Sequence, residues 1–247
     1  MRFSLLLRLK NNKFPVEYRR VILSYIKNAL TQCNDGKYYD EFFGDVTPKD
    51  YCFSVIFPGA KFSKDEIEIK NNQIRIIFST DDKKKTGLKL FSAFIGQKNK
   101  VFPLENENYM ILQSIMNVNR DEILNNRAIF KTALGSGICV RDHDKETNKD
   151  RYYIYSDEEF REKLKVTIKN ELINAGFLES EADKITINPI QCKKAVAKHY
   201  KRFIDISLGM FEISGSRFIL QYLYDAGIGS RKSAGFGMLD LITQDLQ

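Results

Sequence analysis

The stretch Ala226-Gly-Ile-Gly-Ser-Arg-Lys-Ser-Ala-Gly-Phe-Gly-Met238 decides how the rest of the chain is interpreted. Two Gly-x-Gly pairs in it enclose a short polar segment whose central residues are the cations Arg231 and Lys232. Glycine has no Cβ atom, so another group can approach its backbone closely. We call residues 227–237 the glycine loop, and we expect its two cations to lie at its tip.

The residues on either side of the glycine loop predict a helix before it and a strand after it. Apolar residues recur at helical spacing over residues 215–226, and Gly227 stands where many helices end in a left-handed residue. Nucleotide-binding folds use the opposite order, because their phosphate meets the N-terminus of a helix that follows the loop. The order here disfavours a nucleotide cofactor and favours contact with a phosphodiester chain. The alternative is that Gly227 only caps the helix and the other glycines form a tight turn with a bulge.

Two segments near the carboxyl end resemble a known family. Leu208-Gly-Met-Phe-Glu-Ile-Ser-Gly215, followed by the glycine loop, is similar to the C-terminal signature of the CRISPR-associated endoribonucleases that process precursor crRNA, in the RAMP superfamily. Residues 1–9 and 49–54 resemble the same family more weakly. The resemblance implies an α+β fold of two tandem ferredoxin-like (RRM-like) domains. It also implies RNA cleavage without a metal or other cofactor, with the glycine loop facing the RNA.

Length and charge agree with this interpretation. The chain has 247 residues, 43% of them hydrophobic, which fits two domains of about 120 residues each. We predict a domain at 1–126 and a second at 127–247 that carries the glycine loop. Lys and Arg number 39 against 32 Asp and Glu, a net charge of +7, and such an excess favours a polyanionic partner.

Cysteine and histidine usage gives no metal motif. None of the 4 cysteines forms a Cys-x-x-Cys pair, and the 2 histidines add no ligand spacing. Residues 1–9 are apolar but include two arginines and are too short to span a bilayer. We therefore expect no metal, no membrane contact and a cytoplasmic protein.

The first half predicts the strand-helix-strand-strand-helix-strand order of a ferredoxin-like unit. The predicted elements are a strand at 3–9, a helix that starts at Pro15 and is ended by Asn34-Asp-Gly36, a strand at 51–57, a hairpin of 67–69 with 74–79, a helix at 88–96, and extended, paired segments at 102–116 and 118–123. Residues 37–48 are predicted to be a polar and aromatic connection.

The second half predicts the same scheme less clearly. The predicted elements are strands at 128–140 and 151–155 around a charged loop at 141–150, a helix from 156 to about 175, strands at 185–190 and 204–214, and then the helix, glycine loop and strand of the carboxyl end.

Metal-free RNA cleavage needs groups near three atoms. The 2′-oxygen that attacks the neighbouring phosphorus needs a base, the leaving 5′-oxygen needs an acid, and the phosphate needs a cation. Many members of the resembled family carry a histidine in the connection after the first helix. Phe42 or Phe43 stands nearest that place here, so this chain is a variant without the usual histidine.

The remaining catalytic candidates are lysines and tyrosines. Lys49 matches the family's lysine, and Lys27 stands near the place where relatives carry a tyrosine. Our hypothesis is that Lys27 and Lys49 offset the charge of the scissile phosphate, and that Tyr38 or Tyr39 orients an oxygen or donates a proton. The alternative for the lysines is an exposed surface role, and for the tyrosines it is packing.

The densest basic run is Lys193-Lys-Ala-Val-Ala-Lys-His-Tyr-Lys-Arg202. Cations track phosphates, and an interleaved aromatic ring can stack on a base. The alternative is a solvated charged edge; His199 could also supply the missing imidazole, and His143 is expected to have no role. The predicted RNA-binding residues are Lys198, His199, Lys201, Arg202, Gly229, Ser230, Arg231, Lys232, Gly235 and Gly237.

Two rival functions remain open at this stage. One is a non-cleaving crRNA-binding subunit of a CRISPR effector complex, which the missing histidine favours, whereas the lysines and the two-domain length favour a nuclease that keeps its product. The other is a basic enzyme unrelated to RNA, for which the sequence offers no catalytic triad, metal cluster or nucleotide motif. The expected partner is CRISPR repeat RNA or crRNA, bound by a monomer or homodimer.

Overall fold

The computed structural model describes residues 1–45 and 47–244. Its strands are, in chain order, β1 (Arg2–Leu9), β2 (Lys13–Pro15), β3 (Tyr51–Ile56), β4 (Lys61–Phe62), β5 (Glu66–Glu68), β6 (Gln73–Thr80), β7 (Val101–Pro103), β8 (Tyr109–Asn117), β9 (Arg127–Thr132), β10 (Val140–Asp144), β11 (Lys149–Tyr153), β12 (Thr186–His199), β13 (Arg202–Ser214) and β14 (Leu239–Thr243). Its α-helices are α1 (Tyr18–Thr31), α2 (Lys37–Phe43), α3 (Thr86–Ile95), α4 (Phe160–Asn174), α5 (Glu179–Ala182) and α6 (Arg217–Ala226). In these described ranges, no helix is long and apolar enough to cross a membrane.

The first sheet has the strand order β3-β6-β1-β8-β7. Alternate residues of β1 (Phe3, Leu5 and Leu7) are fully buried, because side chains on one face of a strand repeat every second residue. They share one core with residues of α1 and α3. Strand β1 pairs antiparallel with both β6 and β8. This is the ferredoxin-like arrangement that the sequence predicts for the first half.

The second sheet repeats the arrangement with the order β12-β13-β9-β14. Helices α4 and α6 share a core with alternate residues of its strands, among them Phe130 and Phe211. The hairpin of β10 and β11 stands between β9 and α4 in the chain. The predicted α+β class with two ferredoxin-like units is confirmed. The domain division at residue 126 stays a prediction.

The predicted hairpin of 67–69 with 74–79 is wrong. Strand β5 pairs instead with β2 and β4 in a separate three-stranded sheet, while β6 pairs with β1 and β3. Ile67 of β5 and the buried residues of β6 belong to the same core, so apolar spacing does not distinguish the two pairings. One partner of β5 is β2, about 50 residues away in the chain, and such a pairing leaves no local signal.

Four other predicted segments differ from the structure. Residues 37–48 include helix α2, the charged loop at 141–150 is largely the β10–β11 hairpin, and 118–123 forms no strand. The strand predicted at 185–190 continues as β12 to His199 and forms a long antiparallel ribbon with β13. Charged side chains interrupt the apolar alternation in the β10–β11 hairpin and in the outer part of β12, so periodicity alone does not reveal these strands.

The glycine loop packs directly against β3 of the first sheet. A Cβ atom on Gly227 would lie 2.9 Å from the Sγ atom of Cys52, and one on Gly235 would lie 2.9 Å from the ring of Phe53. Beside this contact, Arg2 donates a hydrogen bond of 2.7 Å to the Tyr224 hydroxyl. The two halves of the chain therefore meet at the glycine loop, with no space for side chains at these glycines.

We predict that Gly237→Ala destabilises the protein more than Gly176→Ala. Both glycines have left-handed backbones, with φ of +75° and +88°, so each alanine adds a conformational cost of about 1–2 kcal/mol. At Gly237 the new Cβ would also overlap the carbonyl oxygen of Ile228, whereas nothing lies within 4 Å at Gly176. Overpacking adds about 1–3 kcal/mol, so the free energy of unfolding in denaturant should fall further for Gly237→Ala by that amount. Equal losses in the two variants would contradict the close packing of the loop.

Candidate nucleic-acid interface

The glycine loop is anchored along most of its length by the protein itself. Ser230 donates its backbone N–H to the Cys139 carbonyl at 2.7 Å, and its Oγ accepts the N–H of Arg141 at 3.1 Å. A Cβ on Gly229 would lie 2.6 Å from that same Cys139 carbonyl. The groups that approach the predicted RNA-binding glycines, Gly235 and Gly237 included, are thus protein atoms. RNA contact by these glycines stays a prediction.

Arg231 is the half-exposed cation of the loop and belongs to a polar cluster. Its guanidinium donates to the Tyr152 hydroxyl at 3.0 Å, pairs with Asp150 at 3.3 Å and lies 3.3 Å from Nε2 of His199. Asp150 also pairs with Arg141 at 2.6 Å, and this hydrogen bond holds the pKa of Asp150 well below its usual value. One carboxylate therefore fixes two arginines side by side, an arrangement suited to phosphate.

His199 lies beneath this cluster, where it is 5% exposed and meets the ring of Phe236 edge-on. Burial, together with the nearby charges of Arg231 and Arg19, lowers the pKa of His199 to about 4. The imidazole is therefore neutral at pH 7. With Nε2 facing the arginine donor, the inferred tautomer carries its proton on Nδ1, which is buried and has no hydrogen-bond partner among the residues that the structure describes.

Lys232 points the opposite way from Arg231. Its side chain is 4% exposed, its Nζ lies 3.1 Å from Oε2 of Glu171 on α4, and it stands over the ring of Tyr222. Arg231 has a φ of +61°, and this left-handed turn sends consecutive side chains to different sides of the loop. The two cations thus do not share the tip of the loop, and the side chain of Lys232 contacts protein.

The basic run lies on the β12–β13 ribbon and its turn. His199 pairs with Arg202, and the two residues between them, Tyr200 and Lys201, both have positive φ, as a tight hairpin turn requires. Tyr200, Lys201 and Arg202 are exposed to solvent, while Lys198 is half-buried. The structure therefore presents the predicted cations Lys201 and Arg202 at the end of a rigid ribbon.

The end of this ribbon touches the first half of the chain. The backbone N–H of Lys201 donates a hydrogen bond to the Glu17 carboxylate, just before α1. Lys198 lies 3.9 Å from Asp65, which precedes β5. The basic turn is thus held beside the start of α1, so both halves contribute to one surface.

The catalytic candidates lie on α1, on α2 and just before β3. The Nζ atom of Lys27 lies 4.9 Å above the ring of Phe43, and the ring of Tyr39 packs 5.5 Å from that same ring. Tyr38 is half-buried against the core, and Phe42 is 5% exposed. The structure brings Lys27 and Tyr39 together on Phe43, one of the two positions nearest the expected histidine.

Lys49 lies in the segment that leads into β3. Its amino group donates to the carbonyl of Asp45 at 3.2 Å and to the Thr47 hydroxyl at 3.3 Å. Burial lowers its pKa, although nearby Asp45 and Asp50 oppose this change. Within the described residues, the contacts with Asp45 and Thr47 are the hydrogen bonds that the Lys49 amino group makes. The same part of the chain places no group of three His, Cys, Asp or Glu residues to hold a metal ion.

Comparison with known proteins gives the family. Residues 118–241 match the family model described as CRISPR associated protein Cas6, C-terminal. The chain belongs to the Cas6 family. This membership supports a general role in binding or processing CRISPR repeat RNA. A search of curated protein sequences found no match.

Solved structures agree with the fold over the whole chain. The product of a Cas6-related gene from Pyrococcus furiosus superposes with a TM-score of 0.82 at 22% identity, covering 99% of both chains. A RAMP protein described as binding different RNA substrates gives 0.80 at 23% identity, covering 98% of this chain and 100% of its own. A Thermus thermophilus Cas6 product complex gives 0.67 at 12% identity, with 98% and 100% covered. At these identities the likeness establishes the Cas6 fold.

Sequence reasoning missed the polar cluster that surrounds Arg231 and its partner Asp150. Arg141, Asp150 and Tyr152 fall in or beside the segment predicted to be a charged loop, and pairing of β10 with β11 brings them together. His143, expected to have no role, bonds to the Asp150 carboxylate at 2.8 Å in this exposed hairpin. The available signal was the polar run 144–148, which stands between two segments that each contain consecutive apolar or aromatic residues.

We predict that Lys232→Met destabilises the protein by about 3–5 kcal/mol, because Glu171 is then a buried carboxylate without its cation. Burial raises the pKa of Glu171 and Lys232 opposes this, so the substitution should raise that pKa further. A carboxyl group whose folded-state pKa is raised binds protons more readily when folded, and the loss of stability should shrink as the pH falls through that pKa. Denaturant unfolding at pH 8 and pH 5 measures this.

Lys232→Met combined with Glu171→Gln is the matched control. The double variant buries no charge at this position and should regain most of the lost stability at pH 8. A loss for Lys232→Met that is the same at both pH values would rule out an essential role for the ion pair in burying Glu171.

Proposed function

We propose that this chain binds CRISPR repeat RNA, cleaves it without a metal to give crRNA, and keeps the product bound. Its membership of the Cas6 family supports RNA processing, and a RAMP protein with the same fold is described as binding RNA substrates. The observation that carries the proposal is the convergence of Lys27 and Tyr39 on Phe43, which precedes Lys49 by six residues in the sequence.

The proposed reaction is an internal transesterification. The 2′-oxygen at the cleavage site attacks the adjacent phosphorus, so that a P–O2′ bond forms as the P–O5′ bond breaks. The 2′-hydroxyl loses its proton and the leaving 5′-oxygen gains one, which leaves a 2′,3′-cyclic phosphate and a 5′-hydroxyl. The proposed reaction consumes no water and requires no metal or other reactant. Holding the three atoms in line supplies part of the acceleration.

The lysines act on the charge that develops at phosphorus. Lys27 is held over an apolar ring, where its ammonium group loses part of its hydration and interacts more strongly with a phosphate oxygen. Lys49 has a lowered pKa because of burial, which makes its ammonium group a better proton donor to the leaving oxygen than an exposed lysine. Tyr39, or Tyr38 beside it, orients the attacking or leaving oxygen.

The RNA backbone is proposed to follow the cations of the second half. Arg231 is preorganised by Asp150 and Tyr152, and Lys201 and Arg202 stand exposed at the turn of the ribbon. Lys198 lies at the same edge. We do not include the side chain of Lys232, because it is buried against Glu171.

A second candidate function is a crRNA-binding subunit that does not cleave. The observation that favours it is that Phe42 and Phe43 stand nearest the place of the expected histidine. Neither phenylalanine has a group that can donate or accept a proton in catalysis. His199 does not replace the missing group as an acid, because its lowered pKa leaves it neutral at pH 7.

We predict that the purified protein cuts repeat RNA at one position in the presence of EDTA. The product should end in a 2′,3′-cyclic phosphate, because the attacking oxygen belongs to the RNA and no metal takes part. Denaturing gels with labelled RNA, followed by phosphatase and end-group analysis, provide the measurement. Replacing the 2′-hydroxyl at the cut position with hydrogen should abolish cleavage but preserve binding. A gel shift with no cut in wild-type protein would support the non-cleaving subunit instead.

We predict that Lys27→Ala combined with Lys49→Ala lowers the single-turnover cleavage rate about 100-fold or more. Removing one donor that stabilises transition-state charge typically costs about 100-fold to 1,000-fold. Lys100→Ala with Lys184→Ala, exposed lysines outside the candidate site, removes the same charge and should cleave at the wild-type rate. Wild-type cleavage in the Lys27/Lys49 variant would exclude both lysines from catalysis.

A further inference from the structure

Two phenylalanines are unusually exposed for their size. Phe203, on β13, is 72% exposed, and Phe62, on β4, is 65% exposed. Single apolar residues on a surface need no explanation, but a group of them marks an interaction site. Val196 on β12 is a third apolar residue nearby, at 57% exposure.

These residues belong to one surface. Phe203 stands directly opposite Lys198 in the β12–β13 register, so their side chains leave the ribbon on the same face. Lys198 in turn lies 3.9 Å from Asp65, close to Phe62 in the chain. Phe62, Val196 and Lys198 also line one cavity of about 220 Å³. We call this the Phe62–Phe203 surface.

The cavity has an aromatic wall and a buried cation. Tyr18 and Arg19 line it, and the Arg19 guanidinium lies 4.5 Å from the ring of Tyr18 and 4.2 Å from that of Phe236. Gly135 and Ser136 complete one side. Pockets for drug-sized ligands measure about 300–1,000 Å³, so this cavity has room for one small ring system.

Cations lie around the surface together with carboxylates, among them Glu68, which stands opposite Lys61 in the β4–β5 register. Asp205 is paired with Lys194 at 2.9 Å, and Asp65 lies beside Lys198. The cations that flank the two phenylalanines are Lys61, Lys64, Lys198, Lys201 and Arg202. Exposed aromatic rings among lysines and arginines match the chemistry of single-stranded nucleic acid, which offers a flat base and a phosphate in each unit.

We infer that Phe62 and Phe203 stack on unpaired bases of a bound RNA strand, and that the cavity beside Phe62 takes one base. The site reads no particular sequence, because every base has a flat face. The inference rests on the proposed function, since the strand is the repeat RNA. It adds that this RNA reaches the ribbon unpaired and is held away from the lysines proposed to act in cleavage.

The test is the affinity of variants for an unpaired repeat RNA, measured by fluorescence anisotropy. Stacking is worth about 1–3 kcal/mol per base, so Phe62→Ala with Phe203→Ala should weaken binding about 10-fold or more. Phe62→Tyr with Phe203→Tyr should keep wild-type affinity, and the corresponding leucine pair should lose it. Phe218→Ala is the matched control, because Phe218 is also 65% exposed but lies on α6; it should bind like wild type.

Salt dependence separates stacking from charge. The alanine pair should keep the wild-type slope of log affinity against log salt, because it removes no phosphate contact, whereas Lys201→Ala with Arg202→Ala should flatten the slope. A 2-aminopurine base in the strand should lose fluorescence on wild-type protein through stacking, and should keep it on the alanine pair.

The results that would contradict the inference can be told apart. Wild-type protein that binds no repeat RNA would overturn the proposed function, and this inference with it. Wild-type binding that the alanine pair leaves unchanged would overturn the stacking site alone. Equal weakening of a fully paired repeat RNA would also overturn it, because paired bases cannot stack on these rings.

Discussion

The contact between the glycine loop and β3 is the constraint on which the arrangement of the molecule depends. Gly227 sits against Cys52 and Gly235 against Phe53, so the loop touches β3, an edge strand of the first sheet, with bare backbone. Any side chain at these positions would push the two sheets apart. The glycine loop therefore holds the two sheets in contact, and this contact fixes the position of the residues between its glycines.

The two cations of the glycine loop point in different directions. Lys232 turns inward to Glu171 on α4, and Arg231 turns outward to Asp150 and Tyr152. Lys232 thus attaches the glycine loop to α4, which belongs to the second half of the chain. One arginine is left at the surface, already oriented by a carboxylate before any ligand arrives. The loop serves packing and the proposed RNA contact through different residues.

The sequence was sufficient for those parts of the fold that show regular apolar spacing. Residues Phe3, Leu5 and Leu7 alternate and form the buried face of β1, and α6 ends at Gly227 as predicted. It was not sufficient where charge interrupts the pattern, as in the β10–β11 hairpin and the outer part of β12. Pairing over long range, as between β5 and β2, leaves no local signal.

The same limit applies to the candidate site. Arg231 and the basic ribbon were predicted from local composition, but Asp150 and Tyr152 reach Arg231, and Arg141 reaches Asp150, only through tertiary contacts. The inward direction of Lys232 follows from one left-handed residue, which adjacent cations in a sequence do not reveal. The pairing of Lys27 with Phe43 likewise needs α1 and α2 to pack together.

The most direct measurement of the central claim is the salt dependence of repeat-RNA affinity for Arg231→Gln. If the contact between the glycine loop and β3 positions Arg231 against a ribose-phosphate chain, the variant should bind more weakly to every RNA sequence. Its slope of log affinity against log salt should fall by about one unit. Affinity and slope equal to those of wild-type protein would contradict the claim that the glycine loop presents this arginine to RNA.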